Sequence, residues 1–225
     1  MKTLIFSDTH LTHKFDKVLF DYIAKLVKNA DQVVINGDFW DAYITTFDKF
    51  CKSEWNKLFP ILKKKNTIYL FGNHDKKRTM DKRMDLFSSI QNDSHEINLK
   101  DITLNIQHGH LISPELDGMW LFRNDNLVRP LYKLFAYFYH TNHFFSVFVD
   151  KFHQNGQSKK LLDGMISFVE ENINEKYVYI FGHTHIFYKD DNLGMYSCGV
   201  LDKAQYSYIM IEDDKIKTYK CKSLE

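Results

Sequence analysis

Short apolar runs that stop abruptly in polar, ligand-type residues recur along this chain. Thr3-Leu4-Ile5-Phe6 gives way to Ser7-Asp8-Thr9-His10, Gln32-Val33-Val34-Ile35-Asn36 to Gly37-Asp38-Phe39-Trp40-Asp41, and Thr67-Ile68-Tyr69-Leu70-Phe71 to Gly72-Asn73-His74-Asp75. Residues 102–107 alternate and end in His108-Gly109-His110, and a further apolar run closes at Ile180-Phe181 before Gly182-His183-Thr184-His185. These runs are rich in strand formers, so each predicts a β-strand that delivers side chains at its C-terminal end. Between the first two, Phe15, Val18, Leu19, Tyr22, Ile23, Leu26 and Val27 recur at helical spacing, with Lys17, Asp21 and Lys25 on the other face. That is an amphipathic helix. Residues 47–62 predict a second helix, ending near Pro60 and the Lys63-Lys64-Lys65 run. Strand, helix, strand is the order of a parallel crossover unit, whose C-terminal strand edges collect sites. Past residue 185, segments 186–189, 195–197, 206–211 and 216–219 alternate around Asp190-Asp191-Asn192 and Asp213-Asp214, predicting antiparallel strands that close a second sheet.

Composition narrows the class. A chain of 225 residues, 44% hydrophobic and 16% aromatic, can bury a large core, and one domain over 1–225 is expected. Thirty Lys and Arg nearly balance 29 Asp and Glu, so no global field points to nucleic acid or an acidic partner. Three cysteines, Cys51, Cys198 and Cys221, form neither a paired framework nor a Cys-x-x-Cys clip, which fits a reducing compartment. The opening Met-Lys-Thr-Leu-Ile-Phe reaches Ser7 and Asp8 before a signal-peptide core could build up, so a cytoplasmic location is expected. The longest apolar stretch, 127–149, is interrupted by Arg129, Pro130, Lys133, His140, Asn142 and His143 and is too polar for a membrane span.

The spacing of the polar ends then suggests metal chemistry. In a strand-like or tight-loop geometry, residues i and i+2 project to one side, so His183 and His185 could face one ion or two neighbouring ions. Alone, the pair reads equally well as a turn with two surface histidines. Asp8 and His10 repeat the gap with a carboxylate and an imidazole, a pair suited to a divalent cation. Gly37 lets the backbone turn tightly, so Asp38 can enter the space between two ions, although a Gly-Asp pair is also a common turn or helix cap. Asn73 offers a neutral oxygen, His74 would sit beside the ions, and Asp75 would orient and charge-stabilise its imidazole.

Taken in order, Asp8-Thr9-His10, Gly37-Asp38, Gly72-Asn73-His74-Asp75, His108-Gly109-His110 and Gly182-His183-Thr184-His185 resemble the motif set of the calcineurin-like metallophosphoesterases. The resemblance implies an α/β fold of four layers, an αββα sandwich of two mixed β-sheets between helices, with a two-metal site at one edge. It implies Asp8, His10, Asp38 and His185 on one ion, and Asp38, Asn73, His108 and His183 on the other, with Asp38 bridging. It makes His74 the acid that also binds phosphate, whereas His110 matches no metal position and is placed with the substrate. Two divalent ions about 3.5–4 Å apart acidify a shared water and neutralise charge on phosphoryl oxygens, which suits hydrolysis without a covalent intermediate. Oxygen and imidazole donors without thiolate favour Mn²⁺, the first choice, with Fe and Zn²⁺ as alternatives.

Residues 111–160 separate the last two motifs. Within them, residues 126–150 carry many apolar and aromatic positions, Phe138 and Phe145 included, with Arg123, Arg129 and Lys133 interleaved. Two apolar helices broken near His140-Thr141-Asn142 are expected, serving as extra core, as a dimer face, or as a lid that receives acyl chains while its bases meet phosphate. Chain length, the Gly-Asp-Phe-Trp-Asp variant and this helical insert are similar to the UDP-2,3-diacylglucosamine pyrophosphatase branch, which implies a nucleotide-linked lipid substrate and peripheral membrane contact through the insert. That branch has Arg where this chain has His74, and Asp where it has His110. The alternatives are a general phosphodiesterase or nuclease, and a non-catalytic scaffold of the same fold; outside the insert there is no basic groove or aromatic series for nucleic acid.

Overall fold

The computed structural model describes residues 1–114, 156–202 and 205–221, and three separate apolar clusters stack their elements into four layers. The strands are β1 (Lys2–Phe6), β2 (Gln32–Asn36), β3 (Ile68–Leu70), β4 (Ile90–Asn92), β5 (Ser94–Asn98), β6 (Thr103–Gln107), β7 (Tyr177–Phe181), β8 (Phe187–Asp190), β9 (Met195–Cys198), β10 (Tyr206–Glu212) and β11 (Lys215–Cys221). The helices are α1 (Lys17–Lys28), α2 (Phe47–Lys52), α3 (Phe59–Lys63) and α4 (Ser158–Glu171). One sheet has the order β11-β10-β1-β2-β3-β4, the other β5-β6-β7-β9-β8. Both are mixed: β1 to β4 run parallel with β10 antiparallel to β1, and β6, β7 and β9 run parallel with β5 and β8 antiparallel at the edges. This is the α/β, four-layer αββα sandwich expected from the motifs.

The layers follow from two-sided burial of the strands. In β1 and β2, Leu4, Phe6, Val33 and Ile35 turn toward the helices with Ile23 and Val27 of α1, whereas Ile5 and Val34 turn inward onto Leu104, Ile106 and Ile180 of the second sheet. The other face of that sheet is covered by Leu162, Met165 and Val169 of α4. A fully buried side chain of this size contributes roughly 1.5–3 kcal/mol, so these three clusters are the main source of stability. Helix α1 starts two residues later than the apolar periodicity suggests, because the Asp16 side chain caps it by accepting the Leu19 N–H at 2.9 Å.

Two expectations change. The helix over 47–62 is broken into α2, a 3₁₀ turn at Glu54–Leu58 and α3. Ser53 is extended, with φ −76° and ψ 169°, and Pro60 lies in the first turn of α3, where its missing N–H costs least; proline therefore opens a helix here. The break lets Trp55 bury its ring and donate its indole N–H to the Lys14 carbonyl at 3.1 Å. The last strands also divide between sheets. β8 and β9 belong to the second sheet, but β10 and β11 extend the first, covering the edge that β1 would otherwise expose. Strand β10 suits that place because Ile209 and Ile211 face the inter-sheet core while Tyr206, Tyr208 and Met210 join the helix side. Asp213 and Asp214, with φ of 52° and 58°, make the tight hairpin turn to β11.

Most of the expected insert, including Arg123, Arg129, Lys133, Phe138 and Phe145, lies outside the described residues. No helix among the described residues is long and apolar enough to cross a membrane. All three cysteines are free thiols, Cys198 buried, Cys51 half-buried and Cys221 exposed.

Candidate metal centre

The polar strand ends meet because the loops that carry them are laced together. Asp8, His10 and Leu11 donate backbone N–H groups to Gly37, Asp38 and Phe39 at 2.9–3.1 Å, so the loop after β1 runs in register with the loop after β2. Ala42 N–H reaches the His74 carbonyl at 3.0 Å, tying in the loop after β3, and Gly182 N–H reaches the His108 carbonyl at 3.0 Å, joining the loops after β6 and β7. The chain bends sharply to do this. Asp8, His10, Asp38, His183 and His185 all adopt left-handed φ between 44° and 66°, five of the eight non-glycine residues that do so among the described residues. Each such residue carries of order 1–3 kcal/mol of strain, which clusters where side-chain direction matters more than local comfort. Gly37, at φ +81°, and Gly72 allow the close approach: a β-carbon at Gly37 would stand 2.4 Å from His108 Nδ1, and one at Gly72 2.0 Å from Asp38 Oδ1.

Three groups of ligand-type side chains result, each able to hold a metal ion: Asp8, His10 and His185; Asp38, His108 and His183; and His10, Asp41 and His74. In the first, His10 Nε2 is 3.1 Å from His185 Nε2 and 4.0 Å from Asp8 Oδ1, and His185 Nε2 is 3.4 Å from Asp8 Oδ1. In the second, His108 Nε2 is 3.3 Å from Asp38 Oδ2 and 3.2 Å from Asn73 Oδ1. Asp38 Oδ2 also lies 3.8 Å from His10 Nε2, so this carboxylate stands between the two groups. His108 Nδ1 is held 2.8 Å from the Asn36 carbonyl, which must accept, so Nδ1 bears the proton and Nε2 is left facing Asp38 and Asn73. His110 is half-buried, its ring centre 5.5 Å from that of His108 and 6.3 Å from that of His183.

The donors fit divalent cations. They are carboxylate, amide oxygen and imidazole without thiolate, and Asp8 and Asp38 are buried as neighbouring like charges, an arrangement that calls for cations. Burial alone would raise the Asp38 pKa, but the positive imidazoles of His108 and then His74 hold it well below the carboxylate range. Burial likewise opposes the ionisation of Asp8, and the charge on His108 with a hydrogen bond from His185 overcomes it and lowers the pKa. Burial, then the charge of His74, pushes His10 down to about 4, and burial, then the charge of His108, pushes His183 down to about 3. Both are therefore neutral imidazoles at pH 7, the ligand form. Burial also works against charge on His108, but the Asp38 carboxylate raises it to about 10.

The partner expected for His74 is different in the structure. Asp75 uses both oxygens on backbone and tyrosine donors: Oδ1 accepts the Gly72 N–H at 2.7 Å, and Oδ2 accepts the Phe39 N–H at 2.8 Å and the Tyr69 hydroxyl. The carboxylate set against the His74 ring is Asp41, with Oδ1 3.4 Å from Nδ1. Asp75 is too close to its own backbone turn to reach the ring of its neighbour, whereas Asp41 comes from the facing loop. Asp41 was missed as a site residue; its signal was a second carboxylate three residues after Asp38 in Gly-Asp-Phe-Trp-Asp. Burial opposes its ionisation, and the imidazole of His74 lowers its pKa nevertheless.

Asp75 thus clamps the loops that carry Asp38 and Asn73. Its replacement by Ala leaves two backbone N–H groups and the Tyr69 hydroxyl buried without their acceptor, at about 1–3 kcal/mol each before relaxation. A net loss of about 2–5 kcal/mol is expected, or roughly 5–15 °C in melting temperature for a chain of this length. Thermal unfolding followed by circular dichroism checks it, and an unchanged midpoint would show that the three donors find other partners.

The model described as the calcineurin-like phosphoesterase superfamily domain matches residues 1–201 of the chain. No curated protein matches it in sequence. Among solved structures, a single mutant of Vps29 from Entamoeba histolytica aligns with a TM-score of 0.50 at 13% identity, covering 98% of each chain. A novel archaeal phosphodiesterase aligns at 0.48 and 15%, covering 98% of this chain and 100% of that one, and Yfce, a phosphoesterase from E. coli, at 0.47 and 16%, covering 99% of each. At 13% identity the likeness to Vps29 is one of fold alone.

Proposed function

The chain belongs to the calcineurin-like phosphoesterase superfamily, a family of metal-dependent hydrolases, and on that premise we propose that it hydrolyses a phosphodiester or diphosphate bond at a two-ion site. The observation that carries the reading is Asp38 Oδ2 standing 3.8 Å from His10 Nε2 and 3.3 Å from His108 Nε2, between two clusters of donors. Asp8, His10, Asp38 and His185 would hold one ion, and Asp38, Asn73, His108 and His183 the other. When bound, the ions supply an activated water and neutralise charge on the phosphoryl oxygens. The chain's own residues do the rest. His74, with its Nδ1 facing Asp41, presents its other ring nitrogen to the substrate and gives a proton to the departing oxygen; the carboxylate stabilises the imidazolium and fixes the ring orientation. Asp38 Oδ1 accepts the His74 backbone N–H at 2.8 Å, so the same carboxylate that would bridge the ions also sets the position of the acid.

The substrate we propose is a nucleotide-linked lipid of the UDP-2,3-diacylglucosamine type, cut at its diphosphate, with Mn²⁺ as the ion. Support comes from the Gly-Asp-Phe-Trp-Asp loop and from the aromatic and basic composition of residues 111–160, with Arg123, Arg129, Lys133 and His110 assigned to the substrate. The reading places a cytoplasmic protein at the membrane surface through that segment. Mn²⁺-loaded protein assayed on bis-p-nitrophenyl phosphate, on nucleotide-diphospho-sugars with and without acyl chains, and on single-stranded DNA tests it. Preference for the acylated nucleotide supports the lipid substrate. Equal turnover with and without acyl chains removes the lipid from the reading, preferred cleavage of DNA replaces it with a nuclease, and a protein that binds Mn²⁺ yet cleaves nothing is a scaffold.

A further inference from the structure

His183 is buried, and its Nε2 lies 2.9 Å from the Ser113 carbonyl oxygen. A carbonyl only accepts, so Nε2 carries the proton and Nδ1 keeps its lone pair. Nδ1 is then the nitrogen left for an ion shared with Asp38 and His108, and one ring nitrogen of His183 lies within 4.8 Å of a donor atom of each. The Ser113 carbonyl is held by a turn in which the N–H groups of Ile112 and Ser113 both reach the Gly109 carbonyl at 3.0 Å.

Helix α4 presses on this turn at two points. A β-carbon at Gly164 would stand 2.7 Å from Ser113 Oγ and 3.3 Å from Ser113 Cβ, and one at Gly109 would stand 2.3 Å from Met165 Cε. Gly164 occupies the middle of α4, where alanine would favour the helix, so what its place shows is the need for close contact rather than helical preference.

We propose that Ser113 and Gly164 are positioning residues for His183: packing of α4 on the turn fixes the Ser113 carbonyl, the carbonyl fixes the His183 tautomer, and the tautomer sets the affinity for the ion shared with Asp38, Asn73 and His108. The inference deepens the two-ion reading above and rests on it. It also links the helix that follows residues 111–155 in the chain to one ion and not the other.

The test is Gly164→Val, whose γ-methyl groups need the space that Ser113 Cβ occupies, beside the milder Gly164→Ala, in which the serine hydroxyl can rotate away. Two quantities are read on metal-free protein: the His183 tautomer by nitrogen-15 NMR, and the binding of Mn²⁺ alone by calorimetry. Wild type should show the Nε2–H tautomer. In G164V this tautomer should be lost in part, one Mn²⁺ binding event should weaken by about 10–100-fold, as for other outer partners of metal-bound histidine, and the second event should stay within about threefold. G164A should move both readings less and in the same direction. Ser113→Gly added to G164V keeps the carbonyl, frees the space and should restore both readings. The proposal is overturned by an Nδ1–H tautomer in wild type, by a folded G164V with tautomer and affinities unchanged, or by equal weakening of both ions. Should G164V not fold, the wild-type tautomer and the G164A series still decide. A wild type that binds no Mn²⁺ would remove the two-ion reading, while the tautomer comparison would still report on the contact between α4 and the turn.

Discussion

Asp38→Ala is expected to lose turnover by roughly 10³-fold or more, about 4 kcal/mol of transition-state stabilisation, and to carry fewer than two ions per chain. The reason is its position. Asp38 faces His10 on one side and His108 on the other, and its second oxygen accepts the His74 backbone N–H. One truncation therefore removes the shared donor of both proposed ions and the anchor of the acid. The hydrogen bonds that lace the loops after β1 and β2 are backbone to backbone, so the fold should persist. Metal content by elemental analysis, kinetics on bis-p-nitrophenyl phosphate and a thermal melt separate these effects. A variant that kept two ions and a near-normal rate would refute the bridging assignment.

His74→Ala should behave in the opposite way with respect to metal. It should keep both ions and lose roughly 10²–10⁴-fold in rate, the range for a missing general acid. The loss should shrink on p-nitrophenyl esters, whose leaving group departs without a proton, and should be full on an alkyl or sugar phosphoester. Asp41→Asn leaves the ring in place and removes the charge that stabilises its protonated form, so a smaller loss of about 10–100-fold is expected, again larger for the poor leaving group. Equal losses on both substrate types would count against proton donation and leave His74 a phosphate-positioning role. Loss of an ion from His74→Ala would make it a ligand instead, as its grouping with His10 and Asp41 permits.

The apolar runs by themselves determined the strands that carry the site, because strand burial and strand ends leave a local trace: a β-rich run, then glycine and ligand-type side chains. The order of the motifs at the ends of these runs carried the family resemblance, and the resemblance named Asp8, His10, Asp38, Asn73, His108, His183 and His185 as candidate ligands. What only the tertiary structure decided are relations between loops distant in the chain. Asp75 is adjacent to His74 in sequence, yet its carboxylate turns back onto Gly72, Phe39 and Tyr69, and Asp41 from the facing loop meets the ring instead. The extended Ser53 interrupts a helix whose apolar spacing was continuous, and Pro60 opens α3 beyond it, because burying Trp55 outweighed helical regularity. The alternation of β10 was readable, but its sheet was not: an amphipathic strand fits either sheet until the open edge of β1 selects it. The left-handed backbone at five of the candidate ligand positions, and the Ser113 carbonyl on His183, likewise had no trace in residue type. Periodicity reports which face of an element is buried; only the packed loops determine which donor meets which acceptor across it.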